Sequence, residues 1–238
     1  MSGYSTQSHL SEAMRHTIDK QFTIIGIIPN DKKAINENNF LSQFYYFCGK
    51  FEERLIMIDQ IIEYNKTFVA QKGYEKYITD KYPDKKLAVL SCMDTRLTEL
   101  LPAALGLKNG DAKIIKNAGG LVISAFDSAM RSLIVAIYEL GVEEIMVVAH
   151  SHCGACHMSY DHFHHEMIAR GVTDETLDTI RKCGINLDHW LEGFKDTPTS
   201  VRKTVETIRT HPLVPKDIVV RGFIIDSETG ALEEIGRS

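Results

Sequence analysis

Four short apolar runs constrain this chain more than any other feature. They are KLAVLSC at 86–92, apolar from Leu87, AKIIK at 112–116, EIMVVA at 144–149 and DIVVRGFII at 217–225. Each has strand length. None alternates strictly between apolar and polar residues, as a strand with one wet face does, so they read as strands covered on both faces. Segments of helical length lie between them, and strands separated in this way build parallel βαβ units. The expectation is an α/β fold, a mostly parallel central β-sheet flanked by helices.

The clearest helical segment runs from Ser124 to Leu140. Ser124 is its expected N-cap and Asp127 its third helical residue. Phe126, Met130, Leu133, Ile137 and Leu140 form one apolar stripe, and Gly141 ends it. Upstream, Leu55, Ile58, Ile62 and Val69 recur at near-helical spacing, which predicts an amphipathic helix before Gly73 and Pro83 break the chain. Residues 157–210 also read as helical. There the single tryptophan, Trp190, with Leu187, Leu191 and Phe194, is expected to anchor a peripheral helix in the core. Residues 1–50 read as an N-terminal extension or helical arm, and 51–238 as a single α/β domain.

A chain of 238 residues can bury one substantial core. Its formal charge of −5, with no long basic run, argues against nucleic acid or an anionic membrane surface as partner. The apolar runs fall short of a membrane span. Phe22–Ile28 lacks the small-residue cleavage site of a signal peptide. Five widely spaced cysteines make a poor disulfide framework, so a cytoplasmic location is expected.

Two of the predicted strands run into unusual residues. The first ends in Ser91-Cys92-Met93-Asp94-Thr95-Arg96, the third in His150-Ser151-His152-Cys153, which opens the octet HSHCGACH. Read alone, the octet fits a C-x-x-C-H haem attachment, a redox C-x-x-C, or half of a zinc site. In an open parallel sheet, functional residues gather beyond the carboxyl ends of the strands, so both loops belong on one edge. Cys92, His150 and Cys153 then make a Cys2His set. Three protein ligands with one open position are the pattern of a catalytic zinc site. Cys48 and Cys183 have no ligand-like neighbours and read as small hydrophobic residues. Asp94 and Arg96, two apart on an extended segment, can face the same site, where a bidentate pair would keep the carboxylate ionised.

The pattern Cys92-x-Asp94-x-Arg96, followed by His150-x-x-Cys153, resembles the β-class carbonic anhydrases. Lys116-Asn117-Ala118-Gly119-Gly120 resembles that family's R/K-N-A-G segment. The resemblance is close over residues 85–157 and extends to the strand near 218–225. The Met-Asp-Thr-Arg wording and the Asn-Gly-Asp turn at 109–111 resemble the small bacterial branch. Ala149 stands where the family commonly has glycine, His152, Cys156 and His157 are additions, and the plant-type pocket glutamine and tyrosine have no counterpart.

The resemblance implies reversible hydration of CO2 to bicarbonate and a proton. It implies one Zn2+ per chain on Cys92, His150 and Cys153, with a zinc-held hydroxide oriented by Asp94 and Arg96. It also allows Asp94 to become a fourth ligand in a closed state, with Arg96 released. Asn117, Ala118, Gly119 and Gly120 would line the substrate pocket, and a homodimer or larger homo-oligomer is expected. Relatives on the same zinc platform hydrolyse COS or CS2, and a non-catalytic zinc-binding relative would lack Asp94 or Arg96. On this reading the haem and redox patterns are accidental, and His152, Cys156 and His157 are bystanders. His157, His162, His164 and His165 form a polar face without an assigned role.

Overall fold

Strand β1, Leu87–Cys92, is an inner strand of the sheet, and Ala88, Val89 and Leu90 in it are fully buried. A strand with no wet face needs a layer on each side, and the chain supplies both. The computed structural model describes residues 57–236, which divide between Lys76 and Tyr77 into two units. The expected N-terminal arm, Cys48 and Leu55 lie outside the described residues. In the first unit, residues 57–70 form helix α1, on which Ile58, Ile62 and Val69 are each about half exposed.

In the second unit, β1 is followed by helix α2 (Leu97–Ala104), β2 (Ala112–Asn117), α3 (Ser128–Leu140) and β3 (Glu144–His150). Helices α4 (Tyr160–Ala169), α5 (Asp174–Lys182), α6 (Leu187–Leu191) and α7 (Thr197–Thr210) come next, then β4 (Val219–Ile225) and β5 (Leu232–Glu234). The sheet order is β2-β1-β3-β4-β5, parallel except for β5. Crossovers between parallel strands are right-handed. The β1–β2 connection runs opposite to the later ones, which puts α2 on one face and α3 and α7 on the other. The packing agrees. Val89, Val148, Phe223 and Ile225 pack with Leu97 and Leu101 of α2. Ala88, Leu90, Ile145 and Val147 pack with Met130 and Leu133 of α3 and Val201 and Ile208 of α7. Fully burying a valine or leucine side chain contributes about 1.5–3 kcal/mol, against which stands the entropy of ordering it.

The expected fold class is the observed one, and four details differ. The cap of α3 is Asp127, not Ser124. One Asp127 oxygen accepts the N–H of Met130 (2.8 Å), and the other accepts those of Ile123 and Ser124 (2.7 and 3.2 Å). The aspartate therefore draws the preceding residues into a turn and delays the helix. Phe126 falls in that turn and is 82% exposed, outside the stripe formed by Met130, Leu133 and Ile137. Trp190 is 60% exposed and does not anchor the core. Its helix is only five residues long, and Leu187 takes the buried position. Helix α2 and strand β5 carry too few residues for a periodic signal and were not anticipated.

Candidate metal centre

The strand order reverses between β1 and β3, since β1 leads outward to β2 while β3 leads outward to β4. Loops leaving the carboxyl ends of two such strands diverge and open a crevice at the switch point. Cys92 is the last residue of β1 and His150 the last of β3. A turn through His152, held at φ 54, brings Cys153 back over them. The Cys92 and Cys153 sulfurs are 3.9 Å apart across 61 residues of chain. With a ring nitrogen of His150 they form a set of three ligand atoms all within 4.8 Å, the one such cluster among the described residues.

The set is buried, with His150 at 0% exposure. Its Nδ1 lies 2.9 Å from the Ser151 carbonyl, which can only accept, so Nδ1 carries the proton. Nε2 is then an unprotonated lone pair, and it is buried with no hydrogen-bond partner. An orphaned buried acceptor is costly unless something is to be bound there. The donor set, one imidazole nitrogen and two sulfurs, suits a divalent zinc ion.

The two sulfurs differ in how readily each gives up its proton. The Cys92 thiol is pulled down, first by the hydrogen bond from the Cys153 thiol, against the effect of burial, with further help from the backbone N–H groups of Asp94 and Gly119. Cys153 moves up, because it is the donor to that thiolate and is itself buried. A cation placed among them would release the remaining thiol proton.

Asp94 stands at the rim. Arg96 grips both of its oxygens, Nε to Oδ1 at 3.0 Å and Nη2 to Oδ2 at 2.8 Å, and the Arg96 backbone N–H adds a bond to Oδ1 at 2.9 Å. These contacts hold the Asp94 carboxyl well below the usual carboxylate range. Asp94 Oδ2 is 3.8 Å from His150 Nε2, so the carboxylate borders the ligand atoms.

The segment after β2 packs against the end of β1. Asn117 does not offer its amide to the crevice. Its Oδ1 accepts the Leu121 N–H (3.0 Å) and its Nδ2 donates to the Leu121 carbonyl (2.7 Å), closing the loop on itself. Inside it, Gly119 and Gly120 both take positive φ, and a Cβ on Gly120 would lie 2.8 Å from the Cys92 nitrogen. Ala118 is exposed. Lys116 Nζ donates to the Leu97 carbonyl at 3.2 Å, fastening the far end of the Cys92–Arg96 loop.

The other members of the octet stand apart. Cys156 Sγ lies beside the Thr197 hydroxyl (3.7 Å), and His157 is exposed. His162 and His165 are exposed, and His164 pairs with Asp174 at 2.8 Å. The His152 side chain is exposed, and its backbone carbonyl accepts a bond from Arg96 Nη2 at 3.2 Å. Phe194, expected only beside Trp190 in a core-anchoring helix, stands at the site instead, where its ring edge would meet a Cβ on Gly119 at 3.3 Å. Sequence reasoning passed over the turn at Asp226-Ser227, whose Asp-Ser-Glu-Thr-Gly wording directly after a strand is a turn signal.

Among the described residues no helix is long and apolar enough to cross a membrane. The family model for carbonic anhydrase matches residues 87–232. The YtiB protein of Bacillus subtilis (strain 168) is 48% identical over 179 residues, covering 75% of this chain and 96% of its own. A carbon disulfide hydrolase of Acidithiobacillus thiooxidans is 32% identical over 158 residues, 63% of this chain and 76% of its own. The crystal structure of β-carbonic anhydrase isoform I from Trichomonas vaginalis superimposes with a TM-score of 0.69 at 33% identity, over 75% of this chain and 96% of that one. The chain belongs to the β-carbonic anhydrase family.

Proposed function

We propose that this chain catalyses the reversible hydration of CO2 to bicarbonate and a proton, with one zinc ion per chain held by Cys92, His150 and Cys153. The observation that carries the reading is the Asp94 carboxylate, clamped by Arg96 and 3.8 Å from the unpartnered His150 Nε2. When bound, zinc supplies acidification of a coordinated water, from about 15.7 to about 7. The residues supply the rest. Cys92 and Cys153 hold negative charge, and His150 presents Nε2. Asp94, kept ionised by Arg96, can only accept a hydrogen bond. It takes the O–H of the attacking oxygen and turns that atom's lone pair towards the carbon of CO2. The new C–O bond gives bicarbonate, and the proton lost from water leaves to solvent.

Asn117, Ala118, Gly119 and Gly120 shape the pocket on this reading, and Asn117 does so by fixing the loop. Asp94 can reach the metal as a fourth ligand only after giving up its bonds to Arg96. The presence of both Asp94 and Arg96 supports catalysis over zinc binding alone. A homodimer or larger homo-oligomer and a cytoplasmic location belong to the same reading. Hydrolysis of CS2 or COS is the second reading, supported by the likeness to the Acidithiobacillus thiooxidans hydrolase. Stopped-flow CO2 hydration by the zinc-loaded protein, across neutral and mildly alkaline pH, decides between them. A rate well above the uncatalysed one is expected. A zinc-loaded protein inactive on CO2 that releases H2S from CS2 would establish the second reading instead.

A further inference from the structure

We infer that Ser227 is a positioning residue for the His150 imidazole, acting through the carbonyl of Ser151; the inference rests on the zinc reading above. Ser227 follows β4, is 5% exposed, and has no place in the motifs that mark the site. Its hydroxyl donates to the Ser151 carbonyl at 3.3 Å. That is the same oxygen that accepts His150 Nδ1–H at 2.9 Å. The remaining contacts form one consistent chain. The Ser227 backbone N–H donates to Ser151 Oγ at 3.0 Å, and Ser151 Oγ donates to Asp226 Oδ2 at 3.4 Å. Asp226 Oδ1 is held by the N–H groups of Glu228 and Thr229 and by the Thr229 hydroxyl. The two serine Oγ atoms are 3.2 Å apart. With the Ser151 hydroxyl turned to Asp226 and that of Ser227 turned to the Ser151 carbonyl, each donor is used once.

The consequence is specific to His150. Its ring is fully buried, and Nδ1 makes its one hydrogen bond. The rotation that aims Nε2 is therefore set by where the Ser151 carbonyl points. That carbonyl has two lone pairs, and Ser227 occupies the second. The Ser151 N–H is tied to the Ile225 carbonyl at 3.0 Å, so Ser151 is anchored to the β4 end through its N–H as well as through its carbonyl. Groups that orient a ligand histidine through its far nitrogen are typically worth ~10–100-fold in metal affinity.

The alternative is that Ser227 only fastens the β4 turn to β3. Zinc transfer to a chromogenic chelator separates the two, measured on the wild type, Ser227→Ala, Ser227→Thr and Ser151→Ala, each shown by circular dichroism to be folded. The visible spectrum of the Co2+-substituted proteins reports the ligand geometry directly. Ser227→Ala should bind zinc ~10-fold or more weakly and shift the cobalt spectrum, and Ser227→Thr, which keeps the hydroxyl, should restore both. Ser151→Ala loses the hydroxyl that holds the Ser227 N–H and Asp226 in place but keeps the carbonyl and the Ser227 hydroxyl on it, and should fall in between. It carries the test if Ser227→Ala does not fold. A folded Ser227→Ala with wild-type affinity and spectrum overturns the inference, as does a Thr variant no better than Ala. So does wild-type affinity in Ser151→Ala when Ser227→Ala cannot be tested. A wild type that holds no zinc overturns this inference together with the proposed function, whereas a zinc-loaded, active wild type beside an unchanged Ser227→Ala overturns this one alone.

Discussion

Arg96 donates from Nη2 both to Asp94 Oδ2 at 2.8 Å and to the backbone carbonyl of His152 at 3.2 Å, joining the loop after β1 to the loop after β3. One guanidinium thus sets the carboxylate at the rim and closes the turn that delivers Cys153. A planar fork can serve both acceptors at once, and a lysine ammonium cannot reproduce it. Arg96→Lys should therefore keep zinc but lose ~10–100-fold in kcat/KM, the cost of one charge-assisted hydrogen bond at ~1.5–3 kcal/mol. Stopped-flow hydration with parallel metal analysis checks this. An Arg96→Lys enzyme of wild-type activity would exclude a role for the clamp.

Zinc content should separate the three clustered residues from the neighbour that the C-x-x-C pattern suggests. Cys92→Ser, His150→Ala and Cys153→Ser each remove one atom of a set closed within 4.8 Å, whereas Cys156 lies beside Thr197. The first three variants should purify without bound zinc. Cys156→Ser should hold one zinc per chain and retain activity. Atomic absorption on the purified proteins is sufficient, and a zinc-free Cys156→Ser would overturn the assignment.

Gly120 is required by space as well as by backbone angle. At φ 67 an L-residue is strained by ~1–2 kcal/mol, and a Cβ there would press on the Cys92 nitrogen at 2.8 Å and the Ser91 carbonyl carbon at 2.9 Å. Both contacts are backbone and cannot swing aside. Gly120→Ala should therefore lower thermal stability and also weaken zinc binding, because the displaced residue is Cys92 itself. Gly141→Ala is the matched control, with φ 68 but nothing within 4 Å of its Cβ. It should lose stability alone.

How much of this could be read from the sequence follows from how local each signal is. Strand β1 was legible to the residue because Leu87–Cys92 is apolar on both faces and bounded by charge and by the Asp94 turn. That Cys92, His150 and Cys153 would meet was legible because carboxyl ends of parallel strands share an edge, whatever the loops do. Phe126 and Trp190 misled because apolar character does not specify what will cover a side chain. Phe126 was turned outward by an aspartate cap one residue away. Ser227 was invisible for a different reason. A single serine has no period, and its partner Ser151 is 76 residues distant.

The Asp226 turn should give the fold a measurable acid dependence. The Thr229 backbone N–H, the Thr229 hydroxyl and the Glu228 N–H hold the Asp226 carboxyl down to about 2, from an ordinary value of 3.8. A carboxylate depressed in the folded state adds stability that is complete above its unfolded value and is lost as pH falls through its folded one. The contribution is therefore whole at neutral pH, begins to fall near 3.8, and is gone below about 2. Asp226→Asn keeps the shape of the side chain but removes the charge. In denaturant titrations at a series of pH values, wild type should exceed the variant by a constant margin at neutral pH. That margin should shrink as the pH drops from 3.8 towards 2. A margin independent of pH over this window would mean that the turn is held by its backbone geometry, with the ionised carboxylate contributing nothing to folding.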